Sequence, residues 1–577
     1  MIEVRVGIGE PAAHQFRVSL RVARPQKRQV VSLPVWIPGS YLVREFARHL
    51  SSLGARQGGK AVGVVQLDKA TWRIDSEAAR PLALDYLVYA FDSSVRAAWL
   101  DRERGFFNGT SLVLRVHGFE AVLHRLVIDA LPRGWQVATA LPARKIDARG
   151  RGVYQAADYD ELVDSPLELG SFHRDRFRAG GAPHELVVRG AAPTFDRARL
   201  AADVKRICAA QIAFWHGDGA PPFPRYVFLV NAVDEGYGGL EHRASCALIT
   251  ARRNLPQRGQ PSASDGYVGL LGLISHEYFH AWNVKRMRPR DFARYDYASE
   301  NYTRLLWFFE GFTSYYDDLL LLRAGLIDEA RYLKLLAKNV NGVLGSPGRK
   351  VQSVAEASFD AWVKYYRSDE NTPNATVSYY AKGSLVALAL DLTLRTAGRG
   401  SLDDAMRGLW AAGKGGPVDE DDIARALQRV AGRSMRSELT AWVHGTGELP
   451  LAPLLARCGI EWKEEAPTAA QRLGLRVAES ALTGVQVKSV LRESAAEAAG
   501  IASGDELIAV NGWRLRRLDD LALYADAGAA FDLVVARDQR LVTVRIVAQP
   551  GAGNVALVRA DNAPADADAL RRAWLAG

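Results

Sequence analysis

At 577 residues the chain is too long for one hydrophobic core, so two to four domains are expected. Its 48% hydrophobic and 24% charged residues are ordinary for a soluble globular protein. The formal charge of +9 rests on arginines spread along the chain rather than clustered among aromatics, which argues against a nucleic-acid surface.

The first residues, MIEVRVGIGEPAAHQFRVSL, alternate apolar and polar positions and lack a basic segment followed by an apolar one. No uninterrupted apolar run reaches the ~18 residues of a membrane span. A cytoplasmic protein without a membrane span is therefore expected, unless a leader was removed. Residues 1–180 read as β structure: QFRVSLRVA, LALDYLVYAF, TSLVLRVHGF and LHRLVIDAL are strand candidates separated by turn residues. A sandwich or open barrel is the expected form.

From about residue 181 the pattern changes. HELVVRG and RYVFLVNAV read as strands, and FDRARLAADVKRICAAQIAFWHG between them has helical spacing. Cys208, Cys246 and Cys458 are widely spaced and form no CxxC pair, so neither a disulfide framework nor a thiolate metal site is expected.

LLGLISHEYFHAWN follows, at 270–283. On a helix, His276 and His280 stand one above the other on the same face. Two imidazoles so placed can hold one metal ion, with Glu277 beside them, which is the HExxH arrangement of zinc peptidases. The basic run VKRMRPRDFAR at 284–294 comes next and is read as solvated surface or as local to that site.

Nearly everything from here to about 450 is helical. In LLWFFEGFTSYY, Glu310 sits in an otherwise aromatic and apolar run. A carboxylate there is costly to bury unless it meets a cation or a metal, which makes it the candidate third ligand. Glu300, in the polar YASENYT, is explained by solvent. SYYAKGSLVALALDLTLRTAG closes on Gly398, a helix C-cap residue.

A further unit begins near 465 with LGLRV, AAEAAGIASGDELIAVNG, FDLVVARD and LVTVRIVAQ. The tail from 551, rich in Ala, Asp and Gly, ends in a short helical pattern, DADALRRAWLAG. No internal repeat is present in the sequence.

HEYFHAWN followed by LWFFEGFTSYY resembles the gluzincin metallopeptidases. With PVWIPGSYLVREFARHL at 34–50, SYYAKGSLVALALDL at 378–392, WVHGTGELPL at 442–451 and a PDZ-like end, the chain resembles the glycyl aminopeptidase family over nearly its whole length. The resemblance implies a multidomain α+β protein: a β-sandwich-like domain (1–180), a thermolysin-like catalytic domain (181–300), a helical domain (301–460), a PDZ domain (465–550) and a tail (551–577).

It also implies one zinc ion per chain on His276, His280 and Glu310, with Glu277 as general base. Tyr380, in YAKG, faces the scissile carbonyl. In GGLEH at 238–242, Gly238 and Gly239 form the substrate strand and Glu241 takes the substrate's free amine. The chain departs from commoner aminopeptidases in its longer His280-to-Glu310 spacing and in His242, which stands where Asn is usual. The activity implied is removal of N-terminal residues, Gly or Ala preferred, from peptides with a free N-terminus. The LGL at 473–475 matches the loop by which PDZ domains hold a peptide's C-terminal carboxylate. Two rival readings are a thermolysin-like endopeptidase, which has no use for Glu241, and a non-catalytic zinc-containing PDZ peptide-binding protein, which has no use for Glu277 or Tyr380.

Overall fold

The structure, a computed structural model, describes residues 1–526 and 528–577 and falls into two compact units. One comprises residues 1–302 with 413–418, the other 303–412 with 419–577.

The first unit opens with β structure. An eight-stranded sheet runs in the order 143–146, 152–156, 124–128, 2–10, 15–22, 82–89, 50–57 and 60–62. Its inner face follows the sequence alternation: Ile2, Val4 and Val6 are buried while Glu3 and Arg5 point outward. Two four-stranded sheets share the same apolar core, so the expected β-sandwich-like domain is present with a third sheet added.

A second layer system follows in the same unit: β1 (His173–Ala179), β2 (Ala182–Arg189), α1 (Arg197–His216), β3 (Tyr226–Val233), β4 (Tyr237–Glu241), β5 (Ser245–Ala251) and α2 (Asp265–Phe279). Its sheet order is β1-β2-β3-β5-β4. β2, β3 and β5 are parallel, covered on both faces and almost wholly apolar, as central parallel strands must be. β4 lies at the edge, antiparallel to β5, and α2 packs on both. Residue 180, the boundary expected from sequence, falls in the turn of the β1–β2 hairpin. The ladder places 173–179 with the second sheet rather than the first.

In the second unit, α3 (Leu306–Arg323) and α5 (Ala381–Thr396) form a closely packed pair, with α4 (Glu329–Leu344) alongside. The PDZ-like part is an antiparallel sheet over its own apolar core, with Leu475–Ser480 at one edge. Strands Ile460–Glu464 and Val555–Arg559 pair antiparallel and bracket it. The C-terminal stretch forms α6 (Ala565–Ala576), whose Trp574 is fully buried and donates through Nε1 to the Tyr315 hydroxyl at 2.9 Å. Among the described residues no helix is long and apolar enough to cross a membrane.

Candidate active site

Helix α2 begins at Ser264, whose hydroxyl accepts the Tyr267 N–H at 3.1 Å. Fifteen residues later it stops, and His280 occupies the C-cap, its amide 3.3 Å from the His276 carbonyl. The HExxH stretch therefore closes the helix instead of lying within it, yet the histidines keep their one-turn spacing.

Their Nε2 atoms are 3.0 Å apart. Two nitrogens each ~2.05 Å from one tetrahedral ion would stand about 3.3 Å apart, so the pair fits a shared metal with little movement. His280 Nδ1 lies 2.7 Å from the Asn283 carbonyl oxygen. That acceptor selects the Nδ1–H tautomer and turns the Nε2 lone pair toward a metal. The Lys285 amide donates back to the His280 carbonyl at 3.0 Å. The intervening Val284 is thereby held at a φ of 146°, an uncommon conformation for a β-branched residue.

Edge strand β4 faces this turn. A Cβ on Gly239 would overlap the Glu277 carboxylate, so only glycine leaves room for that side chain. Gly238 has φ 152°, and the Gly239 carbonyl accepts from Arg96 at 3.3 Å. Glu241, at the strand's end, is 4% exposed, and a Cβ on Gly39 would overlap its carboxylate. Ligand atoms of Glu241, Glu277 and His280 all lie within 4.8 Å of one another. Such a cluster could hold a cation, but it offers only one imidazole, whereas the His276–His280 pair offers two facing lone pairs.

Beneath Glu241 lies a buried ionic cluster that sequence reasoning missed. Asp164 Oδ1 is 2.7 Å from Lys285 Nζ and 3.1 Å from His242 Nδ1, and Oδ2 accepts the Arg243 N–H at 3.0 Å. Burial alone would push the Asp164 carboxyl up, but Lys285 and His242 outweigh it and hold it far below the usual range. Lys285 shows the same balance in reverse and is raised. The solvated-surface reading of the basic run is thus corrected for Lys285 and Arg288, both buried. Arg288 stacks over Tyr295 at 5.4 Å. The available signal was Lys285's closeness to the HExxH stretch.

In the second unit, Glu310 is 2% exposed on α3, and Gly311 beside it meets Gly383 of α5 backbone to backbone. Tyr380 precedes α5, half-buried, with Tyr365 stacked on it at 5.4 Å and the Tyr366 hydroxyl 3.4 Å from its own. Burial first, then the Glu310 charge, push the Tyr380 hydroxyl well above the ordinary range, so it remains a proton donor at neutral pH. Tyr379, its neighbour, is fully buried.

Residues 269–386 match the family described as M61 glycyl aminopeptidase, residues 3–171 the peptidase M61 N-terminal domain, and residues 461–525 the PDZ domain. Among solved structures, an aminopeptidase N family protein from Idiomarina loihiensis is 35% identical, with 100% of both chains covered and a TM-score of 0.94. Aminopeptidase A from Legionella pneumophila is 12% identical, covering 98% of this chain and 60% of that one at a TM-score of 0.50, a likeness of fold. An M1 zinc metallopeptidase from Deinococcus radiodurans is 15% identical over 78% of this chain and 95% of that one, with a TM-score of 0.49. The search of curated proteins finds no match. Glycyl-aminopeptidase segments matched in order, together with full-length similarity at 35% identity, lead to one conclusion: the chain belongs to the M61 glycyl aminopeptidase family and is an aminopeptidase.

Proposed function

We propose that this aminopeptidase removes one small residue, Gly or Ala, from the free N-terminus of peptides, using a single zinc ion held by His276, His280 and Glu310. The observation that carries this reading is the short reach from Glu241 to Glu277 and His280, within 4.8 Å. A carboxylate that close to the reacting centre leaves space for one residue between the substrate's ammonium and its scissile carbonyl.

When bound, zinc supplies Lewis acidity and lowers the pKa of water to about 7. Glu277, fixed against Gly239, takes the attacking water's proton and later passes it to the leaving amine. Tyr380 donates a hydrogen bond to the developing oxyanion. β4 offers an edge strand whose Gly238 and Gly239 carry no side chain, so an extended substrate backbone lies alongside without steric conflict. Glu241 pairs with the ammonium and sets the register, and the Gly39 backbone limits the room behind it. Glu310 suits the third-ligand role because an almost fully buried carboxylate in an aromatic helix needs a cation. The Leu475–Ser480 edge of the PDZ domain suits an added peptide strand in the same way.

Assay of the purified full chain on Gly-, Ala- and Leu-anilides, with and without a chelator, tests the proposal. Chelator-sensitive turnover ordered Gly or Ala over Leu is expected. Turnover indifferent to the chelator, or Leu as the best substrate, contradicts it.

A further inference from the structure

Lys285 is a buried cation with two carboxylates in its field, Asp164 and Glu241, yet its ion pair is with Asp164 alone, at 2.7 Å. Asp164 is well equipped to keep it. The His242 imidazole at 3.1 Å and the Arg243 N–H at 3.0 Å fix the two oxygens of its carboxylate. Glu241, by contrast, has no hydrogen-bond partner at Oε1 among the described residues, although that atom is buried. A charged oxygen without a donor in a buried site is costly, and a cation from outside the chain would satisfy it. The nearest internal cation that could do so is Lys285, on a flexible four-carbon stem.

We propose that Asp164 is a positioning residue for the amine subsite: it holds the Lys285 ammonium away from Glu241 and so keeps Glu241 open to the substrate's α-ammonium. The proposal rests on the assignment of Glu241 to the substrate amine. His242 then has a definite task where related sequences carry Asn: its Nδ1–H orients the Asp164 carboxylate that retains the lysine. Without Asp164, Lys285 turns to the one remaining carboxylate and competes internally with substrate. If it occupies Glu241 nine-tenths of the time, only a tenth of the enzyme can take substrate, and apparent affinity falls about tenfold. Catalysis in the fraction that does bind is unchanged, because Glu277 and the metal ligands are untouched. A merely structural ion pair would behave otherwise, lowering stability and turnover together with no selective effect on KM.

The test uses the full-length zinc-loaded protein with alanine anilide as the probe. Asp164→Asn should raise KM about tenfold or more with kcat within about threefold of the parent and zinc content unchanged. Adding Lys285→Met to Asp164→Asn should return KM to within about threefold, because the competing cation is gone. Asp164→Glu should keep a near-parental KM. If Asp164→Asn does not fold, Lys285→Arg decides: a planar fork with five donors reaches both carboxylates and should raise KM with Asp164 in place. An unchanged KM in Asp164→Asn, no rescue in the double variant, or an unchanged KM in Lys285→Arg overturns the proposal. Glu241→Ala run alongside separates the two levels. Its own KM must rise for the amine assignment to stand, whatever Asp164 does.

Discussion

Gly311 and Gly383 touch through their backbones: a Cβ added to Gly311 would stand 2.5 Å from the Gly383 Cα. This contact sets the closest approach of α3 and α5, one residue after Glu310 and three after Tyr380. The two glycines thus fix how a carboxylate and a hydroxyl on separate helices meet.

Gly383→Ala is therefore expected to push the helices apart, since the added methyl meets the Trp307 carbonyl oxygen at 2.6 Å and the Gly311 Cα at 2.9 Å. Overpacking of this kind costs typically 1–3 kcal/mol, and misplacing a catalytic group by about 1 Å costs on the order of 100-fold in rate. Circular dichroism should show a folded protein and turnover should fall by roughly that factor. Parental turnover in Gly383→Ala would mean the contact is not needed for the chemistry.

Metal content and catalysis should separate. Glu277→Gln leaves both imidazoles and Glu310 in place, so elemental analysis should still find about one zinc per chain while turnover collapses. His280→Ala and Glu310→Ala should lose both metal and turnover. An empty site in Glu277→Gln contradicts the division of roles.

Tyr380→Phe removes one hydrogen-bond donor to the oxyanion and little else. Turnover should drop roughly 100- to 1000-fold with KM nearly unchanged. A raised KM at constant turnover would make Tyr380 a binding residue.

Trp574 anchors α6 through Tyr315, which in turn donates to Asp391 at 2.6 Å, while Arg323 and Arg395 donate to the carbonyls of Trp574 and Ala573 at 3.1 and 2.7 Å. Truncating a fully buried tryptophan costs roughly 3–5 kcal/mol. Trp574→Ala should unfold thermally well below the parent, and a melting temperature within a degree of the parent would show that α6 is dispensable.

What was legible in the sequence followed from local rules. His276 and His280 share a face because of the helical period, and Glu310 stood out because a charge interrupts an aromatic run. The strand at 173–179 was harder, since alternation reveals a strand but not its sheet, and only the ladder to Ala182–Arg189 assigns it. Asp164 was invisible for a different reason. It reads as a loop acid until folding brings the distant Lys285, His242 and Arg243 around it. Lys285, in a basic run, looked like solvated charge for the same reason. Residues whose partners lie far along the chain carry no local signature.

The central claim, that Glu241 anchors a free amine, is tested most directly by comparing alanine anilide with its N-acetylated form on the parent enzyme and on Glu241→Ala. A charge-assisted contact in a buried pocket is worth about 2–5 kcal/mol on truncation, so Glu241→Ala should lower kcat/KM on the free substrate by roughly 30-fold or more. Zinc content should not change, and the parent should fail on the acetylated substrate, which lacks the charge and adds bulk at the closed end. Acetylated substrate cut as fast as free substrate would show that Glu241 is no amine anchor and that the enzyme is an endopeptidase.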